Sequence, residues 1–581
     1  MPVLLRPEVG DAVPKPDLLA ATSRLRAAVA ALGLGLKTPG VTAARRARQE
    51  LLRQLDDYVL PRLQRMDAPL LAVIGGSTGA GKSTLTNSLI GREVSRSGVL
   101  RPTTRAPVLV HHPFDSGAFL TNRVLPGLAR ISSEAPEPAR PVDVDAPPVT
   151  TLRLVPDDRM APGLAIIDAP DIDSVVAANR DLAVQLFGAA DLWIFVTTAA
   201  RYADAMPWAM LQQAEERGTA VAVVLDRVPP EAMNEVRVHL ATLLRERGLA
   251  SSPMFTIPEI EVADGLLPEG LVTPLYTWLT RLARDQRARD MIVRRTLGGV
   301  VASLASRTEA LAAAADVQDV TESSLSSDLG QVFDLAGADL ERRLADGTVL
   351  RGDVLARWQE LAGTGDLVRN PDSVAARLRE RLAAALVDHP APLTELTEAL
   401  GAGVAALIEA ETQAAVERVT ARWRAQPAGA ALLQRRADVD AVSREFRVRL
   451  ATDAGQWQAG VLELVRPGGR DQGAGSRAAT LGAEGAAALL SLVSLSQTAG
   501  TAGQKAGAAA VAVAKTLLGA VFGDEAVRSM AASAGGDLTR RGQLLLEIER
   551  ARLAALLAGT GVRAGSGQAL RSCVLAMEEA R

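Results

Sequence analysis

The sequence has one cysteine, Cys573, so an internal disulfide is excluded and a reducing cytoplasm is the expected compartment. Aromatic residues make up only 3%, although 48% of the chain is hydrophobic, and alanine and leucine therefore supply most of the apolar bulk. Together with arginine and glutamate these are good helix formers, so long helices are expected. The net charge is −3 and there is no basic tail, which removes any general attraction to nucleic acid; no nucleic-acid partner is expected. Met1 to Pro16 has no basic stretch leading into an apolar run, so no export signal is expected there. Lysine is scarce as well. Of 64 basic residues only Lys15, Lys37, Lys82, Lys505 and Lys515 are lysine, the bias a GC-rich bacterial genome produces, and each lysine is correspondingly informative.

At 581 residues the chain has room for several domains. Residues 17–66 carry helical periodicity, with Leu18, Leu25, Val29 and Leu32 on one face, then Leu51, Leu52, Leu55, Val59 and Leu63 after a break at Thr38-Pro39-Gly40. Pro61 is expected to kink or end the second helix. From Pro69 the period changes to short β-rich runs: Leu70–Ile74, Val108–His111, Thr151–Val155, Leu164–Asp168, Leu192–Thr197, Ala220–Leu225 and Phe255–Ile257. Helical stretches separate several of them, which indicates a mostly parallel α/β sheet with helices on both faces. Thr151–Val155 and Leu164–Asp168 are candidates for one antiparallel hairpin, and the proline-rich stretch Ser132–Pro148 for a surface loop. Past about residue 275 only helical patterns continue. Three regions are expected: a helical segment at 1–67 that packs on the later helices, an α/β domain at 68–275, and an all-α bundle or stalk at 276–581.

The chemistry concentrates where strand, glycine-rich turn and helix meet. Leu70-Leu71-Ala72-Val73-Ile74 leads directly into Gly76-Ser77-Thr78-Gly79-Ala80-Gly81-Lys82-Ser83, and Thr84 to Ile90 continues as a helix, the context a phosphate-binding P-loop needs. The glycines let successive N–H groups turn toward a phosphate, and the helix N-terminus adds partial positive charge. Lys82 can reach the β- and γ-phosphates of a nucleotide, and the Ser83 hydroxyl can ligate Mg2+. A second metal-side group is expected at a later strand end, where Asp168 closes Leu164–Asp168. Between the two, Thr103 or Thr104 is a candidate switch that ligates magnesium only when a γ-phosphate is present.

In this order, P-loop, loop threonine and Asp168-Ala169-Pro170, the sequence resembles the GTPases of the translation-factor-related class. Within that class it is most similar to the dynamin-like large GTPases. The likeness rests on Gly76–Ser83, on Asn87-Ser88-Leu89-Ile90-Gly91, on Thr104-Arg105-Ala106-Pro107, and on a helical segment before and a long helical region after the α/β domain. It implies a slow GTPase that uses GTP, GDP and Mg2+, with Thr104 as the switch threonine and self-association or a related GTPase as partner. Three departures stand out. Asp171 replaces the glycine of the family's Asp-x-Pro-Gly and is followed by Ile172 and Asp173. The guanine-reading Asn/Thr-Lys-x-Asp is represented by Asp226-Arg227-Val228-Pro229, so Pro229 stands where a carboxylate is expected, leaving Asp226 and Arg227 as the base-side candidates. Within the P-loop, Thr78 and Gly79 stand where many relatives carry glutamine and serine, leaving Thr78 to hold an attacking water.

Residues 478–523 form a segment poor in charge, read as two small-residue helices with a turn near Ala499–Gly503. It is a candidate for peripheral membrane contact, at the inner face of the cell membrane, or for a tightly packed core hairpin; alanine, glycine and Lys515 make it a poor membrane span. Trp358, Trp423 and Trp457 are expected in the helical core. His111 and His112 have no partners for a zinc site. The functions in competition are a mechanochemical GTPase, a nucleotide-gated binding module with little turnover, and an ATP-using P-loop protein, the last lacking any ABC-type signature.

Overall fold

The computed structural model describes residues 16–96, 106–121, 124–133, 151–173, 177–216, 218–262, 264–362, 391–434, 438–466, 482–496 and 505–581. The described chain divides into two compact units, one made of Met1–Leu32, Gly40–Asp316 and Ala564–Arg581, the other of Gly33–Pro39 and Val317–Arg563.

In the first unit, an apolar run of seven fully buried residues, Leu70–Gly76, makes strand β1. Its side chains alternate between two cores, Leu71 and Val73 on one face of the sheet and Leu70, Ala72 and Ile74 on the other. Burial on both faces explains why the run reads as continuously hydrophobic rather than alternating. The remaining strands are β2 (Val108–His111), β3 (Ala129–Ser132), β4 (Thr151–Pro156), β5 (Leu164–Asp168), β6 (Leu192–Thr198), β7 (Ala220–Val228) and β8 (Met254–Pro258). They form one eight-stranded sheet in the order β3-β4-β2-β5-β1-β6-β7-β8, parallel throughout except where β2 meets β5. The expected β4–β5 hairpin is therefore corrected. β2 lies between those strands, pairing parallel with β4 and antiparallel with β5. Strand β3 is not among the strands expected from sequence; it takes in Ser132, the first residue of the loop expected at Ser132–Pro148, most of which lies outside the described residues.

The N-terminal helices belong to this unit. Pro16–Ala31 lies along the late helix Ser566–Ala580, while Val41–Gln54 reaches the sheet-covering helix Ala177–Ala189. Leu18, Ala21, Leu25 and Val29 supply one buried stripe, and Leu570 and Met577 lie buried on the late helix. Pro61 acts one turn ahead of itself: Leu55–Val59 widens into a π-turn, with the Leu60 N–H bonded to Leu55 O. A proline ring crowds the carbonyl four residues earlier and removes an N–H, and an i→i+5 turn accommodates both effects.

The second unit is helical, and its core is one continuous cluster that includes the buried Trp358, Trp423 and Trp457. The Trp423 and Trp457 indoles donate to Leu325 O and Ala534 O, each at 3.0 Å. The short segment Gly33–Pro39 joins this unit through Gln318, whose amide accepts from Leu36 N at 2.9 Å and donates to Leu36 O at 3.0 Å. Within 478–523 the expected pair of helices is present as Ala483–Ser494 and Lys505–Phe522; the turn between them lies outside the described residues. Ala486, Ala488, Leu489, Leu490, Leu492 and Val493 are all buried against neighbouring helices of the unit, as are Val513, Leu517 and Leu518 of the second helix. Among the described residues one helix, Ala391–Arg424, has the length and composition to cross a membrane, and its residues Leu396, Leu400, Val404, Ile408, Val416 and Trp423 lie in the same core.

Candidate nucleotide site

Strand register assembles the site. Ile74 of β1 pairs with Asp168 of β5, so the aspartate ends its strand beside the point where the glycine-rich turn leaves β1. Gly76 pairs with Val196 of β6, and Thr198 of β6 with Asp226 of β7. The carboxyl ends of four neighbouring parallel strands thus converge on one edge, where open α/β sheets bind ligands. Gly81, at φ 89°, turns the chain into the helix Lys82–Ile90. That left-handed conformation disfavours most residues, and a Cβ on Gly81 would also press on the Asp226 carboxylate.

Around Asp168 the structure gathers oxygen donors. The Ser83 hydroxyl donates to Asp168 Oδ2 at 2.7 Å, and the Ser95 hydroxyl donates to the same oxygen. Ser95, which sequence reasoning did not single out, is fixed by Asn87: the Asn87 side chain accepts from Val94 N and Ser95 N, each at 2.9 Å, and donates to Ser95 O at 2.6 Å. Asp168 is fully buried, and burial pushes its carboxyl above the ordinary carboxylate range despite the two hydroxyls. Its second oxygen, Oδ1, has no hydrogen-bond partner. An orphaned buried carboxylate oxygen beside a serine hydroxyl suits a small, hard, oxygen-seeking cation such as Mg2+.

On the phosphate side the chain folds its own anions over the P-loop. Lys82, 6% exposed, donates to Ser77 O at 3.0 Å and forms an ion pair with Asp171. Two residues on, Asp173 Oδ1 accepts from both the Thr78 N–H and the Thr78 hydroxyl, each at 2.6 Å. Its other oxygen pairs with Arg201 at 3.0 Å. Desolvation pushes Asp173 up, but the Thr78 contacts and Arg201 outweigh it and leave the carboxyl below its ordinary value. Ile172 between them is buried in the sheet's core, which turns both flanking carboxylates onto the loop. Asp171, which stands where the family carries glycine, is directed at the lysine. Asp171 and Asp173 stand out in the sequence by type, whereas Arg201 carries no sequence signal.

The remaining candidates are placed as follows. Gly76 ends β1, Ser77, Thr78, Gly79, Ala80 and Gly81 form one turn, and Lys82, Ser83 and Thr84 start one helix. Thr103 and Thr104 lie outside the described residues. Asp226 is 6% exposed, and burial pushes its carboxyl up; one oxygen accepts from the Arg227 N–H at 2.9 Å while the other lies over Gly81. Arg227, at φ 51°, has an exposed side chain. Asp226 therefore contacts the turn beneath the phosphate site, and Arg227 is exposed at the strand end. Among the described residues no cluster of histidine, cysteine and carboxylates suggests a further metal site.

Residues 71–228 match the model of the dynamin family. No curated protein matches the chain. Similar solved structures include an oligomerised bacterial dynamin pair described in terms of long-range sensing and tethering of membranes, at 10% identity and TM-score 0.33, covering 97% of this chain and 94% of that one. Another is Toc33 from Arabidopsis thaliana in complex with GDP and Mg2+, at 16% identity and TM-score 0.23, covering 45% of this chain and 97% of that one.

Proposed function

We propose that the protein, whose residues 71–228 match the model of the dynamin family, binds and hydrolyses GTP with magnesium and couples the nucleotide's state to its helical unit. The observation that carries this reading is the meeting of the P-loop with Asp168, whose free oxygen lies beside the Ser83 hydroxyl. Ser83 and Asp168 would hold the ion, Asp168 directly or through water, with Thr104 joining when a γ-phosphate is present. Magnesium, when bound, neutralises charge on the phosphate oxygens. Lys82 would take the β- and γ-phosphates, and the P-loop N–H groups would surround the β-phosphate. Arg227 would pack against the base. Self-association, or association with a related GTPase, and contact with the inner face of the cell membrane belong to the same proposal. Burial of Ala483–Ser494 argues that any membrane contact uses another surface, or follows a rearrangement of the helical unit.

A second reading, a nucleotide-gated binding module with little turnover, draws support from Thr78: its hydroxyl is held by Asp173 rather than free to place a water. One experiment separates the two. Phosphate release from GTP and from ATP is measured with and without liposomes, for the wild type and Lys82→Ala. The leading reading expects GTP turnover that Lys82→Ala abolishes and that liposomes or self-assembly accelerate. Nucleotide binding without phosphate release would leave the gated module, and equal release from ATP would refute GTP preference.

A further inference from the structure

The geometry points to Asp171 as a specificity-determining residue that occupies the γ-phosphate's place in the P-loop and sets how strongly the site favours triphosphate over diphosphate. This rests on the nucleotide-binding reading above. The Lys82 ammonium, buried at 6% exposure, needs anionic company, and the chain supplies it from Asp171. The Thr78 N–H and hydroxyl, the neighbouring donors on the same turn, are both taken by Asp173. Two carboxylates two residues apart thus satisfy the cation and the polar hydrogens that an incoming terminal phosphate requires.

The segment is held as a unit. Ile172 is buried to 3% exposure and its N–H approaches Gly76 O at 3.4 Å, while Arg201 holds Asp173 from the outer side and also approaches Thr78 O. A phosphate cannot join Lys82 with Asp171 in place without setting two anions side by side. Nucleotide binding is therefore an exchange, in which the terminal phosphate displaces the Asp171 carboxylate and releases residues 171–173 from the P-loop. Where a glycine would give the phosphate only an N–H, the aspartate gives the segment a second stable position. Loss of the γ-phosphate lets the carboxylate return to Lys82.

Removing the carboxylate should leave the buried lysine with the Ser77 carbonyl but without its paired carboxylate until nucleotide arrives, and so tighten binding. The test uses the full chain, with calorimetric titration of GDP and of a non-hydrolysable GTP analogue, both with magnesium, into the wild type, Asp171→Asn and Asp173→Asn. Asp171→Asn is expected to tighten the analogue about tenfold or more, and GDP by distinctly less. Asp173→Asn, which spares Lys82, is expected to change both by less than Asp171→Asn changes the analogue. Thermal melting supplies a second readout: Asp171→Asn should melt lower alone and gain more from the analogue than the wild type does. If the wild type binds and Asp171→Asn binds no tighter, or tightens both nucleotides equally, the inference is overturned while the nucleotide-binding reading stands. If none of the three binds either nucleotide, both fail.

Discussion

Ser83 and Asp168, 85 positions apart in sequence, meet through a 2.7 Å hydrogen bond that uses one carboxylate oxygen and leaves the other, fully buried, without a partner. A buried carboxyl raised by desolvation is a destabilising group at neutral pH unless a cation offsets it. Asp168→Asn keeps the shape and removes the charge. It is expected to raise the melting temperature measured without divalent cation, and to abolish the further rise that magnesium with nucleotide gives the wild type. A variant that melts lower and still responds to magnesium would contradict this assignment.

Asp57 offers a second buried carboxyl with a directional consequence. It accepts from Gln185 at 2.9 Å, and burial raises it from the ordinary 3.8 to about 6; Asp56 adds to the rise while Gln185 and Arg53 oppose it. A carboxyl that is harder to ionise in the fold than in the unfolded chain gives stability that is complete below pH 4 and lost as pH rises through 6. The loss amounts to about 3 kcal/mol at 1.36 kcal/mol per pH unit. Asp57→Asn, which can still accept from Gln185, should therefore stabilise the first unit at pH 7.5 and flatten its stability between pH 4 and 6. Melting temperature followed across that range, wild type against variant, reads both.

Gly81 is restricted twice, by φ 89° and by Asp226 Oδ2 at 2.3 Å from where a Cβ would lie. Gly81→Ala is expected to cost about 1–3 kcal/mol from the backbone conformation, with a further term from the clash. Adding Asp226→Ala should recover the clash and leave the backbone cost. A melting-based double-mutant cycle that shows no coupling would mean Asp226 does not press on the turn.

Ala483–Ser494 can be tested as core directly. Leu490 is fully buried in the helical unit, so Leu490→Ala should destabilise that unit by about 2–5 kcal/mol in buffer without lipid. A loss below about 0.5 kcal/mol in urea unfolding followed by helical circular dichroism would place this side chain on a free surface instead.

Much of this fold is legible in the sequence because its strands are short apolar runs closed by turns, and because a P-loop states its own context through Leu70–Ile74 before it and Thr84–Ile90 after it. Strand β3 was not legible: Ala129-Arg130-Ile131-Ser132 is an edge strand with Ile131 exposed, and a half-paired edge needs no hydrophobic signature. The β4–β5 pairing failed for another reason. Adjacency in sequence suggests a hairpin, whereas β2, some forty residues earlier, inserts between the two strands. At the site, residue types were visible but directions were not. Asp171 could face a lysine or the solvent with equal grammar, and Arg201 became relevant only when the end of β6 was brought beside the P-loop. The small-residue segment around Leu490 has a composition that a core hairpin and a membrane tip share, and only its neighbours separate them.

The pairing of Pro16–Ala31 with Ser566–Ala580 bears on how the protein is made. A ribosome delivers the first helix and the whole sheet hundreds of residues before the second helix emerges, at about 5–20 residues per second. The contacts between these two helices therefore cannot form until the entire helical unit has been synthesised. The unit that carries the P-loop, although encoded first, is the last to be completed, and nascent chains halted before residue 566 would carry the sheet while its first helix still lacks the late helix it lies along.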